Sequence, residues 1–71
     1  METVIMNATV LQVYGCELLV CDHSTSQEII VHTTQASCFV VGENVSIWYN
    51  GAMTLSIPPQ ITAVCIQRSS C

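Results

Sequence analysis

The stretch that most limits how this chain can fold is residues 42–66. Two apolar, β-branched runs there flank Asn50-Gly51, and a third begins directly after Pro58-Pro59. Asn-Gly between alternating hydrophobic residues is the strongest short-range hairpin signal, because both residues tolerate positive φ. The parity of the flanks then chooses the loop. A two-residue loop sets Val45 and Ile47 against Ser56 and Thr54, which mixes core and solvent faces. A three-residue loop with Gly51 in a bulge sets them against Leu55 and Met53 and keeps one face apolar. A bulged hairpin is therefore expected. Pro58 and Pro59 cannot donate to a ladder, so the chain should leave the sheet there and return as a last strand over 60–67.

The rest of the chain reads as further short strands. Val4, Met6, Ala8 and Val10 alternate with polar neighbours across 3–14, and the phase slips at Leu11, since Val13 has the opposite parity. Such a slip predicts a bulge or strong bend, as where one strand passes between the two sides of a small barrel. Gly15-Cys16 turns the chain into a strand over 17–21 with Leu18 and Val20 inward. After the polar loop 22–26, residues 27–33 form a third strand, with Ile29 and Val31 on one face and Glu28, Ile30 and His32 on the other. Thr34 is placed to cap a single helical turn over 35–37, and Gly42-Glu43 delivers the strand 44–49. The expectation is an all-β fold, a single domain over 1–71: a small five- or six-stranded barrel. An OB-like barrel is favoured over an SH3-like one because the first strand is long and bent.

Charge excludes more than it suggests. The chain of 71 residues has no lysine and a single arginine, Arg68, against five carboxylates. Nucleic-acid affinity comes largely from cations that displace counterions from phosphates, so nucleic acid is not an expected partner, and anionic membrane surfaces fail on the same ground. Residues 3–14 are interrupted by Asn7, Thr9 and Gln12 and have no basic n-region. No apolar run approaches the roughly 20 residues that span a bilayer. A soluble, cytoplasmic chain is expected, unless an export signal was removed from it. A chain this short buries only about 60% of its unfolded surface, yet 51% of its residues are hydrophobic. Self-association is the plainest way to cover the surplus, so a homo-oligomer is expected, with a different protein partner as the other option.

Five cysteines at 16, 21, 38, 65 and 71 are odd in number and unevenly spaced, unlike a secreted disulfide framework. Cys21, Cys38 and Cys65 lie in apolar runs, where buried free thiols are expected; one disulfide or a metal site are the alternatives. Cys71 is expected to be disordered, with the last four residues frayed. His23, His32, Cys16 and Cys21 are zinc-ligand types without Cys-x-x-Cys or His-x-x-x-His spacing, so no metal and no cofactor is expected. His32 reads as an exposed polar pair with Glu28. Asp22-His23-Ser24 reads as a solvated turn, because consecutive residues do not place a base between nucleophile and carboxylate. Glu17, Asp22, Glu28 and Glu43 serve solubility. If Val45 and Ile47 face inward, Trp48 faces outward beside Ser46 and Thr54. An outward tryptophan reads first as a subunit contact and second as a platform for a sugar or base. Trp48, Tyr49 and Thr54 are thus the candidate binding residues.

Residues 41–63 carry Gly42-Glu43 before a strand, Tyr49-Asn50-Gly51, Ser56-Ile57-Pro58, and Gln60-Ile61-Thr62-Ala63. This pattern resembles the YobA-like family of small bacterial domains of unknown function, with Leu18-Leu19-Val20 fitting more loosely. The likeness covers about two-thirds of the chain and rests on structural glycines and prolines. It implies a small β-barrel and no established activity. Family members are often preceded by a signal or lipoprotein segment not seen here, so location does not carry over. The leading expectation is a non-enzymatic barrel acting by assembly or binding. The alternatives are an oligosaccharide- or oligonucleotide-binding module using Trp48 and Tyr49, or a thiol- or metal-dependent activity.

Overall fold

In the computed structural model, which describes residues 3–69, five strands close into a single barrel in the order β1-β2-β3-β5-β4. They are β1 (Val4–Val13), β2 (Glu17–Asp22), β3 (Glu28–His32), β4 (Asn44–Tyr49) and β5 (Gln60–Arg68), with a 3-10 turn at Ala36–Cys38 between β3 and β4. All neighbours are antiparallel except β3 and β5, which run parallel.

Period-two alternation sends one side chain in two to the axis. Met6, Ala8 and Val10, Leu18 and Val20, Ile29 and Val31, Val45, Ile47 and Tyr49, and Ile61 and Ile66 all meet there. Ala36 and Phe39, from the segment around the 3-10 turn, join the same cluster. The expected slip in β1 is a register shift between Val10 and Gln12, which lets Val13 pack against the core although its parity is reversed. A second shift lies in β5: Trp48 pairs with Cys65 but Tyr49 with Ala63, so Val64 is the extra residue. That bulge explains how Ile61 and Ile66, of opposite parity, both point inward.

The hairpin at Asn50-Gly51 does not form. Gly51 takes the positive φ expected of it, 88, but Asn50 does not, and its Oδ1 instead accepts the Ala52 N–H at 2.9 Å. The strand expected after it does not form either. Both edges of β4 are already occupied, by β1 and by β5: Val45 and Ile47 face Arg68 and Ile66 rather than Leu55 and Met53. Pairing β4 with 52–56 would displace β5 and take Ile61 and Ile66 out of the core. Residues 50–59 form a loop instead. Three smaller corrections follow. The cap residue of the 3-10 turn is Gln35, with no side-chain cap bond; Thr33, not Thr34, accepts a backbone N–H there, from Gln35 at 3.1 Å. Arg68 belongs to β5 and is not frayed. The expectation for Cys71 falls outside the described residues.

Candidate functional site

The outer face of β1, β4 and β5 grades from polar to apolar in three rows. Thr9 pairs with Asn44, and its hydroxyl donates to Asn44 Oδ1 at 2.9 Å. Asn7, Ser46 and Gln67 come next, with Ser46 Oγ donating to Asn7 Oδ1 at 2.9 Å. The third row is Ile5, Trp48 and Cys65. Ile5 is exposed, Trp48 half-buried and Cys65 exposed. Trp48 therefore faces outward as expected, but its neighbours differ from those expected. Thr54 is not beside it, because the hairpin that would bring it there is absent. Tyr49 points the other way, only 8% exposed in the core, and offers no stacking platform. Of the three candidate binding residues, Trp48 alone presents surface on this face.

Thr54 instead belongs to a furrow on the neighbouring side of the barrel. Two clefts meet there. One, of about 490 Å³, is lined by Cys16, His32, Thr62, Val64 and Cys65, among others. The other, of about 400 Å³, is lined by His32, Asn50, Met53, Thr54, Gln60 and Thr62, among others. They share His32 and Thr62, so the furrow runs from Cys65, which lies directly across from Trp48, to the foot of the 50–59 loop. Its lining mixes hydroxyl, amide, imidazole and thiol groups with apolar side chains such as Val64 and Met53. The ring of His32 is held between two partners, Nε2 at 2.7 Å from Gln60 Oε1 and Nδ1 at 3.4 Å from Glu17 Oε2. Its carboxylate partner is thus Glu17 and not Glu28. The β2–β3 register sets Glu17 opposite His32 and Glu28 opposite Cys21, and cross-strand pairs dominate same-strand ones on a sheet face.

The loop is braced by its own polar groups, although Thr54 and Ser56 are themselves exposed. The Thr54 N–H donates to the Gln60 carbonyl at 3.0 Å, the Gln60 N–H donates to Thr54 Oγ1 at 2.9 Å, and Ser56 Oγ donates to the Pro58 carbonyl at 3.0 Å. The two hydroxyls lie 2.6 Å apart. Leu55 and Ile57, on either side of Ser56, are 100% and 98% exposed. Sequence reading missed this feature because the same alternation looks like a strand. The distinguishing signal is the set of polar partners of Thr54 and Ser56, all within six residues along the chain, which a reading of hydropathy alternation does not register.

The remaining candidates resolve simply. Asp22 Oδ1 accepts from both the N–H and the hydroxyl of Ser24 at 2.9 Å, while His23 Nε2 lies 2.6 Å from Thr9 Oγ1. Asp22-His23-Ser24 is a turn. The expectation of buried thiols is overturned: Cys16, Cys38 and Cys65 are exposed, Cys21 is half-buried, and all four are free. Cys21 and Cys65 fall on the outward parity of their strands, opposite Thr9 and Trp48. Cys16 and His32 share a cleft, whereas His23 and Cys21 lie elsewhere, and among the described residues no three His, Cys, Asp or Glu side chains form a metal-binding group. Compared with family models, curated proteins and solved structures, the chain matches none of them.

Proposed function

We propose that this chain is a non-enzymatic OB-type barrel that works as an assembly module, and that its partner is a second copy of itself. The strand order, the bulged first strand that pairs with both β2 and β4, and the five-strand closure support the OB-type assignment. Kinship with the YobA-like domains is part of the proposal and rests on the pattern in 41–63. So is a cytoplasmic location: four free thiols suit a reducing compartment. Among the described residues, no helix is long and apolar enough to cross a membrane.

The observation that carries the reading is the uncharged row Ile5–Trp48–Cys65, continued by exposed Val64. Tryptophan in an apolar patch with a polar border is the usual anchor of a protein interface, and a dry contact here would desolvate no charge. The polar border is present as the Asn7–Ser46–Gln67 row. A second reading has one specific observation in its favour. Trp48 lies beside the furrow, so a sugar or base stacked on its indole would find hydroxyl and amide groups next to it. Light scattering on a size-exclusion column separates the two, applied to wild type and Trp48→Ala. A dimeric or larger wild type that falls to monomer on substitution supports assembly. A monomeric wild type overturns it and moves the reading to ligand binding, for which quenching of the sole tryptophan by oligosaccharide or oligonucleotide is the direct assay.

A further inference from the structure

We infer that two copies join by a reciprocal interlock, in which the Leu55–Ile57 edge of each loop seats in the furrow between His32, Thr62, Val64 and Cys65 of the other. This rests on the assembly reading above and names the surfaces that carry it.

Four observations converge. The loop is braced by its own Thr54 and Ser56 bonds, so its apolar edge is preformed and ordering it on contact costs little. Leu55 and Ile57 stand almost wholly in solvent, an arrangement the fold itself does not need. The loop and the furrow adjoin: Met53 and Thr54 line the same cleft as His32 and Thr62. A two-fold interface must be self-complementary, with projection and recess on one contiguous patch, and that is the arrangement here. Finally, residues 50–64 contain no charged side chain, in a chain of net charge −4. Two such copies repel wherever their carboxylates face each other; this stretch adds none, and the Glu17 carboxylate beside the furrow is held 3.4 Å from His32 Nδ1. The chain exposes 4398 Å², and a standard interface takes about 800 Å² per partner, roughly a fifth of it. The loop, the furrow and, across from Cys65, the Trp48 row adjoin one another on this side of the barrel.

The test uses three proteins: wild type, a loop variant (Leu55→Ser with Ile57→Ser) and a furrow variant (Thr62→Arg with Val64→Arg). All four positions are exposed, so folding is not at stake, and circular dichroism confirms it. By light scattering across a concentration series, wild type is expected at twice the chain mass. Each variant alone is expected at one chain mass, with association weakened on the order of a hundredfold or more. An equimolar mixture of the two variants is expected to regain a heterodimer, because the intact loop of one meets the intact furrow of the other and one of the two contacts survives. A monomeric wild type overturns the assembly reading and the interlock together. A dimeric wild type whose loop variant stays dimeric overturns the interlock alone. Two monomeric variants that do not complement when mixed also overturn it, since a flat contact has no such rescue. Loss of the loop variant's binding to phosphatidylcholine vesicles, with wild type monomeric in solution, would instead assign the loop to a lipid surface.

Discussion

Arg68 and Glu43 pair between the end of β5 and the turn that leads into β4: Arg68 Nε donates to Glu43 Oε2. The same guanidinium donates from Nη2 to the Cys38 carbonyl and lies 5.4 Å above the Phe39 ring. Glu43 Oε1 in turn accepts the Val40 N–H at 3.1 Å. The only cation of the chain is thus a strap over the 3-10 segment.

This strap makes stability depend on pH in a definite direction. The Val40 N–H is the largest influence holding the Glu43 carboxyl below the ordinary glutamate range; desolvation opposes it, and the hydrogen bond and charge of Arg68 add smaller lowering contributions. A carboxyl depressed in the folded state stabilises the fold above its unfolded pKa and loses that contribution as pH falls through its folded pKa. Glu43→Gln is therefore expected to melt below wild type at neutral pH, and the gap should close as the pH falls through the carboxylate range. A gap of constant size in melting curves across that range would show that ionisation of Glu43 is not what the strap uses.

The inner and outer leucines should behave oppositely. Leu18 is wholly buried among the strands and Leu55 wholly exposed. Leu18→Ala is expected to cost about 2–5 kcal/mol of unfolding free energy, the range for a cavity in a packed core. Leu55→Ala, measured at a dilution where the chain is monomeric, is expected to stay within about 0.5 kcal/mol of wild type. Urea denaturation of both variants checks the pair, and a large loss at Leu55 would mean that the loop folds back onto the barrel.

How much of this was legible follows from where each signal is local. The alternation of Leu18 with Val20 and of Ile29 with Val31 needs only a strand and an inside, and it held. The slip at Leu11 held for the same reason, since two apolar parities in one strand demand a bulge. The matching slip between Ile61 and Ile66 could have been found by the same test. The hairpin failed because barrel closure is not local: β5 wins the edge of β4 by burying Ile61 and Ile66, whereas 52–56 would bury only Met53 and Leu55. Trp48 was placed on the right face but beside the wrong neighbour, an error inherited from that hairpin, and Tyr49 was lost from the candidate site by the parity that had been applied to Ile47.

The two turn glycines separate conformational from steric strain. Gly42 and Gly51 have φ of 91 and 88, and a Cβ at Gly42 would meet open space, whereas one at Gly51 would sit 3.3 Å from Val4 Cγ2. Either alanine substitution carries the left-handed backbone cost of about 1–2 kcal/mol, and Gly51→Ala is expected to be the worse. Adding Val4→Ala to Gly51→Ala should recover only the difference between them. Full recovery, read from thermal melts, would show that crowding and not the backbone sets the cost.

Thiol chemistry offers the last check, and it reaches both the fold and the interface. Cys16, Cys38 and Cys65 are exposed, and Cys21 is half-buried. In dilute native protein the three exposed thiols among the described residues are expected to react quickly with a chromogenic disulfide and Cys21 more slowly. Cys16 and Cys65 line the furrow, while Cys38 lies under the Arg68 strap, outside it. If copies interlock through the furrow, raising the protein concentration shields Cys16 and Cys65 and leaves Cys38 untouched. Mass spectrometry of pulse-labelled protein at two concentrations reads the three sites separately. Equal labelling of Cys65 at both concentrations, in a chain that scatters as a dimer at the higher one, would place the interface on another face.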